Sequence, residues 1–407
     1  MTISRIKTNS IEDSAVTGAK VATGGIATVD MADGSVTSLQ IADGGISAVD
    51  IANSAITPAK LSTDAQYTGF KNRIINGAMM IDQRNAGASV TPANGGFGVD
   101  RWKATLTQAS KFSMQQSSVA PSGFVNSLLI TSLSAYSVLT GDAFDVEQPI
   151  EAFNVSDLGW GASGAQTVTV SFWVRSSLTG TFGGALLNSA ANYSYPFSYT
   201  INAANTWELK TVTISGPTAG TWASGNSTGI SVRFSLGCGA TYSGTAGSWS
   251  ANTYIQPTGA TSVVGTNGAT FYITGVQLEK GSSATSFDYR PYGTELALCQ
   301  RYYEKSYDIG VTPGSVDEIT ADWGVASSDT SLFLTGNKFK VTKRASPTMT
   351  FYNTATGASG SFVAGATTMT VSAYSGGTTS CARLYSTAGH GTIGVYSRWH
   401  WTASSEL

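Results

Sequence analysis

An apolar residue returns at every fifth position from residue 6 to residue 65 of this 407-residue chain, and this strict step limits what the segment can form. Five residues turn an ideal α-helix by about 500°, so these side chains would not share one helix face or build a heptad seam. An odd step also puts successive apolar residues on opposite faces of a strand. The step therefore predicts a compound unit of turn plus extended chain. The apolar residues are Ile6, Ile11, Val16, Val21, Ile26, Met31, Val36, Ile41, Ile46, Ile51, Ile56 and Leu61.

The full repeat is ten residues long, as in VTGAKVATGG and ISAVDIANSA. Two or three aliphatic side chains per unit cannot enclose a core in a single chain, whereas several chains on one axis can stack shared apolar layers. Residues 1–68 are therefore predicted to form a stem of three chains. The alternative is a disordered linker, which would have no reason to keep the step. The predicted core of the trimeric stem comprises Ile26, Met31, Val36, Ile41, Ile46, Ile51 and Ile56.

The composition favours β-structure and excludes several partners. Charged residues are only 12% of the chain, and 46 glycines accompany many Ser and Thr residues, which is typical of strands joined by tight turns. A net charge of −2 without a Lys/Arg cluster predicts no binding to nucleic acid. Neither a signal peptide nor a run of about 18 apolar residues is present, so membrane insertion is not expected.

Strand-like alternation dominates the chain after the repeat stops between Asp64 and Gly69. Short alternating runs separated by Gly, Ser and Asn predict an antiparallel β-sandwich of jelly-roll type over residues 69–293. Two runs show the pattern best, and each should place one set of side chains in the core. These sets are Val168, Val170, Phe172 and Val174, and Ile230, Val232, Phe234 and Leu236.

The remaining sequence predicts a helix and a second β domain. Thr294 can cap a helix in which Leu296, Cys299, Tyr302 and Tyr303 fall on one side, so residues 294–309 are expected to form a helical bridge. Residues 310–407 return to β-type runs with Gly-rich turns and predict a small C-terminal β tip. The fold class is thus mainly β, with a repeat stem, a sandwich and a tip.

Three stretches resemble the tail-fibre and receptor-binding proteins of tailed bacteriophages. They are NRIINGAMMIDQRN with GVDRW at residues 98–102, the run FYITGVQLEKGSSATSFDYRPYGTELALCQRYYEK at 271–305, and RASPTMTFYN with the ending SRWHWTASSEL. The resemblance implies a homotrimeric virion fibre, made in the bacterial cytoplasm, whose sandwich is related to carbohydrate-binding modules. Its stem would be proximal to the virion, and its partner would be a bacterial surface polysaccharide.

Only five residues precede the repeat, so the stem is expected to insert into a tail adaptor or to be carried by another fibre subunit. The motif residues themselves are expected to be structural. Asp100 and Arg101 are expected to form an ion pair under the sandwich. The last sandwich strand is expected to be tied to the helix by Gln277, Glu279 and Arg290.

The sequence gives little indication of a catalytic site. The chain has two histidines and scattered carboxylates, without an HExxH motif, so neither catalysis nor a cofactor is expected. Cys238, Cys299 and Cys381 are widely spaced and predict free thiols rather than a zinc site. Asp142, Asp145 and Glu147 are expected to lie in a solvated loop, with Ca²⁺ binding as the alternative that their spacing allows. A structural head or collar fibre and a glycan depolymerase remain the alternatives to an adhesin.

Binding a sugar requires an aromatic ring against the apolar face of a pyranose, with polar groups around it. Aromatic residues in loops among Asn and Ser are therefore the candidates, with core packing as the alternative for each. In the sandwich they are Tyr193, Tyr195, Trp222, Tyr242 and Trp249, and in the tip His390, Trp399 and His400. Tyr254, Tyr385, Tyr396 and Trp401 compete for the same role. The tip, farthest from the stem, is expected to contribute most to recognition.

Overall fold

The computed structural model describes most of the chain after the repeat. The described residues are 70–326, 331–333, 338–386 and 393–407, together with Val21, Met31, Ile46 and Ile51. The chain divides into two compact units, Met1–Gln66 and Tyr67–Leu407. Within the described residues, no helix is long and apolar enough to cross a membrane.

The predicted stem core falls mostly outside the described residues. Outside the described residues lie Ile26, Val36, Ile41 and Ile56. Met31, Ile46 and Ile51 expose 45%, 54% and 38% of their surface in the single chain. Neighbouring copies would be needed to cover these side chains, so the trimeric stem stays a prediction.

Two antiparallel sheets make up the sandwich. The first has six strands in the order β1-β2-β5-β10-β7-β8. Its strands are β1 Phe97–Val99, β2 Trp102–Leu106, β5 Ala143–Glu151, β7 Gly180–Asn188, β8 Ser194–Ile201 and β10 Thr228–Cys238. The second has five strands in the order β3-β4-β13-β6-β9. They are β3 Phe112–Ser117, β4 Ser127–Ser132, β6 Val168–Ser176, β9 Glu208–Ile214 and β13 Thr270–Lys280.

The core between the sheets follows from the alternation along the strands. All eight core residues predicted on β6 and β10 are buried, with at most 1% of their surface exposed. Phe172 on one sheet meets Phe234 on the other edge to face, with ring centroids 4.9 Å apart. Burying each such ring stabilises the fold by about 1.5–3 kcal/mol. The prediction of a mainly β fold with a sandwich is confirmed.

Small elements connect the strands of the sandwich. Two short strands, β11 Ser243–Gly244 and β12 Gln256–Pro257, pair in parallel within the long connection between β10 and β13. Three single turns of 3-10 helix also occur, at Ala152–Asn154, Ser156–Leu158 and Ala240–Tyr242. The long connections bring distant parts of the sequence to the same end of the sandwich.

The helix after the sandwich is shorter than the sequence indicates. Helix α1 spans Tyr292–Gln300, and the chain then forms strand β14, Tyr303–Lys305, instead of continuing as helix to residue 309. Pairing with a tip strand competes successfully with helix formation here, since Tyr303 lies opposite Ser404. The helix begins after Pro291 without a side-chain cap, so the expected capping by Thr294 is wrong. Cys299 does pack into a small core with Ile75 and Ile81, on the side expected.

The tip is a nine-stranded antiparallel sheet organised around its last strand. Strand β22 pairs with β14, β15, β17 and β18. Besides β14, the strands are β15 Asp322–Ala326, β16 Ser331–Phe333, β17 Thr348–Tyr352, β18 Ser361–Ala364, β19 Thr367–Thr370, β20 Ala373–Gly376, β21 Cys381–Tyr385 and β22 Tyr396–Ser404. Because β22 is central, its side chains Trp399 and Trp401 are buried in the tip core.

The ion pairs beneath the sandwich differ from the one expected. Asp100 pairs with Arg84 at 3.1 Å, while Arg101 pairs with Glu406. Arg84 also contacts Glu406, at 2.9 Å. Arg101 has a positive φ of 72°, in the left-handed region that residues other than glycine rarely adopt. The expected ion pair between Asp100 and Arg101 is therefore wrong. Arg101 instead joins the sandwich to Glu406, just after β22, while Asp100 holds Arg84, which also contacts Glu406.

The other motif residues stabilise the region after β13. Glu279 accepts a hydrogen bond from the hydroxyl of Thr285 at 2.7 Å, and Gln277 accepts one from the backbone N–H of Asp288 at 2.8 Å. Arg290 reaches the helix, with Nη1 3.3 Å from Glu295 Oε2. Of the three residues expected to tie the last strand to the helix, Arg290 does so directly, and the other two hold the intervening loop.

Candidate aromatic binding site

Five aromatic residues from four separate segments meet at one end of the sandwich. Trp160 follows β5, Tyr193 and Tyr195 begin β8, Trp222 lies between β9 and β10, and Trp249 lies between β10 and β13. We call these five residues the aromatic cluster. Each is half-buried, and four of them pack against the sandwich core. The fold thus concentrates ring surface at one place while leaving part of each ring in contact with solvent.

Trp249 is at the centre of the aromatic cluster. Its ring is stacked with Tyr193 at a centroid distance of 5.7 Å and an angle of 10°, and it lies 5.3 Å from Tyr195. Trp222 meets it edge to face at 5.5 Å, and Trp160 at 5.3 Å. Trp160 and Trp222 are themselves 4.8 Å apart at 78°. Such edge-to-face pairs each contribute about 0.5–1.5 kcal/mol beyond burial.

Hydrogen bonds fix the orientation of the three indole rings. Trp160 donates its Nε1–H to the carbonyl of Gln166 at 2.8 Å, and Trp249 donates to Ser215 at 2.8 Å. Trp222 donates to the carbonyl of Ala219 at 3.2 Å. Because the polar atom of each indole is already satisfied by a backbone carbonyl, the exposed part of each ring is apolar. A ligand would meet carbon surface held in a fixed orientation.

Two glycines allow the loops to approach the rings. Gly161 and Gly220 have φ angles of +90° and +87°, which side chains rarely adopt. A Cβ atom at Gly161 would lie 2.9 Å from Trp222 Cδ1, and one at Gly220 would lie 2.9 Å from Tyr193 Cδ1. Both positions therefore need glycine for backbone conformation and for space.

Asn188, at the end of β7, joins the loops by its side chain. Its amide donates to the carbonyl of Thr221 at 3.1 Å and to Asn192 Oδ1 at 2.8 Å. Its Oδ1 accepts from the backbone N–H of Tyr193 at 3.1 Å. The segments that carry Tyr193 and Trp222 are thus connected to one buried amide, which holds them in place before any ligand binds.

A pocket of about 150 Å³ opens beside Trp160 and Trp222. Its lining combines aromatic and aliphatic side chains with two serines. The lining residues are Val155, Ser156, Gly159, Trp160, Trp222, Ala223, Ser224, Gly229 and Ile230. This lining contains neither a carboxylate nor a histidine, so it offers ring surface and hydroxyl groups but no group for acid or base catalysis.

Sequence reasoning placed four members of the aromatic cluster among the candidates and missed the fifth. Trp160 lies in the Gly-rich segment GWGASG, without the neighbouring Asn and Tyr residues that identified the other loops. Tyr242 lies elsewhere, against the small core that contains Ala185 and Ile255. Tyr254 is also separate, since its ring packs against Gly244.

Two of the three main tip candidates do not reach the surface. Trp399 and His400 have no exposed surface, as the alternative of core packing anticipated, and His390 lies outside the described residues. The His400 ring stacks on Tyr307 at 3.7 Å, and its Nε2 lies 3.0 Å from the carbonyl of Asp317. Burial lowers the pKa of His400 below its ordinary value. A side chain in this position supports the tip core and cannot touch a glycan.

The expectation of a solvated loop at Asp142, Asp145 and Glu147 is wrong, because all three side chains are buried and the last two lie in β5. Asp142 accepts hydrogen bonds from the Tyr136 hydroxyl at 2.7 Å and the Leu139 backbone at 2.9 Å. Glu147 pairs with Arg233 at 2.8 Å, and Asp145 lies 3.5 Å from the same guanidinium. Within the described part of the chain, no set of three His, Cys, Asp or Glu side chains is arranged to hold a metal ion.

A second aromatic surface lies on the outer face of the five-stranded sheet. Trp207 and Tyr272 are 6.1 Å apart, and the guanidinium of Arg175 lies 4.9 Å above the Tyr272 ring. A neighbouring pocket of about 290 Å³ includes Trp173 and Tyr289 in its lining. This surface was not among the sequence candidates, because alternation alone does not tell which outward side chains remain uncovered.

No family model and no curated protein matches this chain. Among solved structures, the enzymatically active domain of tailspike protein 4 from bacteriophage CBA120 is similar at 13% identity, over 52% of this chain and 21% of that one, with a TM-score of 0.29. A carbohydrate-binding module described as CBM4 gives 16% identity over 51% and 98% of the two chains, with a TM-score of 0.26. The family 11 carbohydrate-binding module of the Clostridium thermocellum cellulase Lic26A-Cel5E is 13% identical over 49% of this chain and 98% of that one, with a TM-score of 0.24. The chain thus spans about a fifth of the tailspike protein.

Proposed function

We propose that this protein binds polysaccharide through the aromatic cluster of its sandwich. The observation that supports this proposal is the convergence of three tryptophans, whose indole N–H groups are held by backbone carbonyls, with two tyrosines. Carbon-rich ring surface beside small hydroxyl side chains suits the apolar face and the hydroxyl groups of a pyranose. The pocket beside Trp160 and Trp222 has room for one sugar unit at most, so a longer chain would extend across the cluster.

We further propose that the biological role is attachment of a tailed bacteriophage to its host. The three sequence stretches that resemble tail fibres support this role, and so does the repeat, which favours a homotrimer. Weak binding at each site would then suffice, because three linked copies raise the effective concentration of every further site. In this proposal the protein is a virion tail fibre, joined at its stem to a tail adaptor or another fibre subunit. It binds the glycan and does not cleave it.

Binding of the full-length chain to purified bacterial surface polysaccharides tests the proposed site. Trp222→Ala and Trp160→Ala should each weaken binding about tenfold, the equivalent of ~1.4 kcal/mol, because each removes one wall of the pocket. Tyr242→Ala is the control, since that ring lies outside the aromatic cluster. Thermal unfolding of all variants distinguishes lost binding from lost folding.

The same measurement distinguishes the alternatives. If Trp207→Ala abolishes binding while Trp222→Ala does not, the outer face of the five-stranded sheet is the site and the aromatic cluster only packs the loops. The length of the polysaccharide after incubation tests cleavage, and shortened chains would favour a depolymerase. A protein that adsorbs to no host polysaccharide or cell would favour a structural head or collar fibre.

A further inference from the structure

Two aromatic rings of the tip lie in solvent on one face of its sheet. Trp323 on β15 is 55% exposed, and Tyr396 on β22 is 50% exposed. The two strands are antiparallel neighbours, and the ring centroids are 5.7 Å apart at an angle of 28°. The rings therefore form a nearly flat surface that the tip core does not use. We call it the tip platform.

An ion pair accompanies the tip platform. Arg398 lies opposite Trp323 in the strand pairing and two residues after Tyr396. Its Nη1 is 3.0 Å from Glu318 Oε2, and both side chains are partly exposed. Among the described residues this is the one polar contact of the Arg398 side chain, and neither the Trp323 indole N–H nor the Tyr396 hydroxyl has a polar partner. Donors and acceptors thus remain available beside the rings.

We propose that the tip platform, with Arg398 and Glu318, is a second glycan-binding site and takes a neutral polysaccharide. This inference rests on the proposed function. Trp323 and Tyr396 would cover the C–H face of one pyranose, while Arg398 donates to its hydroxyls and Glu318 accepts from them. An exposed ion pair contributes little to stability, so its two partners can turn toward a ligand at small cost.

The charge of the site favours a neutral ligand over an acidic one. A carboxylate on the sugar would have to displace Glu318 from Arg398 and would then remain close to it. Vicinal hydroxyls need both a donor and an acceptor, which this pair supplies together. A second copy of the chain is the competing occupant, because Ile319, next to Glu318, is 94% exposed and Val316 is 63% exposed.

Two double variants of the full-length chain test the inference against neutral and acidic bacterial polysaccharides. Replacing Trp323 and Tyr396 by Ala should weaken binding of the neutral polysaccharide about tenfold, as one stacked sugar is lost. Replacing Trp160 and Trp222 by Ala tests the sandwich separately. Unchanged affinity of the tip variant overturns the second site and leaves the proposed function standing. Loss with the tip variant alone supports the second site and contradicts the aromatic cluster.

Single variants test the ligand class and the competing occupant. Glu318→Gln should weaken neutral binding a few-fold, and tighter binding of an acidic polysaccharide by this variant would overturn the neutral class. Ile319→Ser should leave binding and the sedimenting mass unchanged. If Ile319→Ser and the tip double variant both lower the mass in solution, the tip platform is a contact between copies and the proposed site is wrong.

Discussion

At the scale of single residues, the sandwich carries a buried charge cluster on the six-stranded sheet. Asp145 has no exposed surface, and one of its oxygens has no hydrogen-bond partner. Burial raises its pKa to about 7, and the nearby Glu147 acts in the same direction while Arg233 opposes both. The pKa of Glu147 is lowered despite its burial, because Arg233 and Lys103 favour its charged form. The contributions of these two carboxyls to the free energy of unfolding therefore change with pH in opposite directions.

Asp145→Asn should change how stability depends on pH. The folded protein binds the Asp145 proton more tightly than the unfolded chain, whose pKa is near 3.8, so the free energy of unfolding falls as pH rises from about 4 to about 7. The variant lacks this decline and should gain stability relative to the wild type over that interval. Denaturant unfolding at pH 4 and pH 8 measures the difference.

Glu208→Gln provides a comparison of opposite sign to the Asp145 experiment, measured by denaturant unfolding at lower pH, between about 2 and about 4.5. Hydrogen bonds from Lys210 and the turn at Asn202 lower the pKa of Glu208 to about 2, against the opposing effect of burial. That carboxyl therefore adds stability above pH 4.5, which is lost as pH falls toward 2. If the unfolding free energy of Asp145→Asn and wild type ran parallel from pH 4 to pH 8, the assignment of a raised pKa to Asp145 would be wrong.

At the scale of strands and loops, the positions of the binding rings depend on loop geometry. Gly220→Ala should destabilise the fold by about 1 kcal/mol because its φ is +87°, and should also weaken polysaccharide binding because the new Cβ displaces the Tyr193 ring. Gly95→Ala is the matched control, with φ +81° and no atom within 4 Å of a built Cβ. Thermal unfolding and binding are measured together. Equal loss of binding in both variants would count against a role for Tyr193 placement.

The strands could be predicted from the sequence, whereas the meeting of the loops could not. Alternation identifies Val170 and Phe234 as core residues because each strand has one buried face. Nothing local in the sequence indicates that Trp160 lies 5.3 Å from Trp249, since that distance depends on the sheet order and on the loop connections. For a similar reason, the sequence alone does not tell whether Trp399 is buried or exposed. Its burial follows from the central position of β22, which only the pairing of the whole tip determines.

At the scale of the whole molecule, the end of β22 is part of the sandwich as much as of the tip. Glu406 receives contacts from Arg84 and Arg101, and its backbone carbonyl accepts from Arg344 at 2.8 Å. A chimeric tip that replaces residues 310–407 would leave the buried Arg101 without its carboxylate, while Arg84 would keep Asp100. Leaving a buried charge unpaired costs about 3–5 kcal/mol. Host-range exchange therefore needs a chimera that retains Glu406.

The assembly of copies is the property of the whole molecule that the repeat predicts most directly. Ile41→Asp would put three carboxylates into one apolar layer of a trimeric stem, and unpaired buried charge is costly enough to separate the chains. Ser38→Asp adds the same charge at a polar position of the repeat and should leave the trimer intact. Sedimentation of full-length wild type should give three times the chain mass, with Ile41→Asp shifted toward the monomer. A wild-type monomer, or equal masses for Ile41→Asp and wild type, would contradict a core role for residue 41. A disordered linker would then explain the sequence of residues 1–68 better than a trimeric stem.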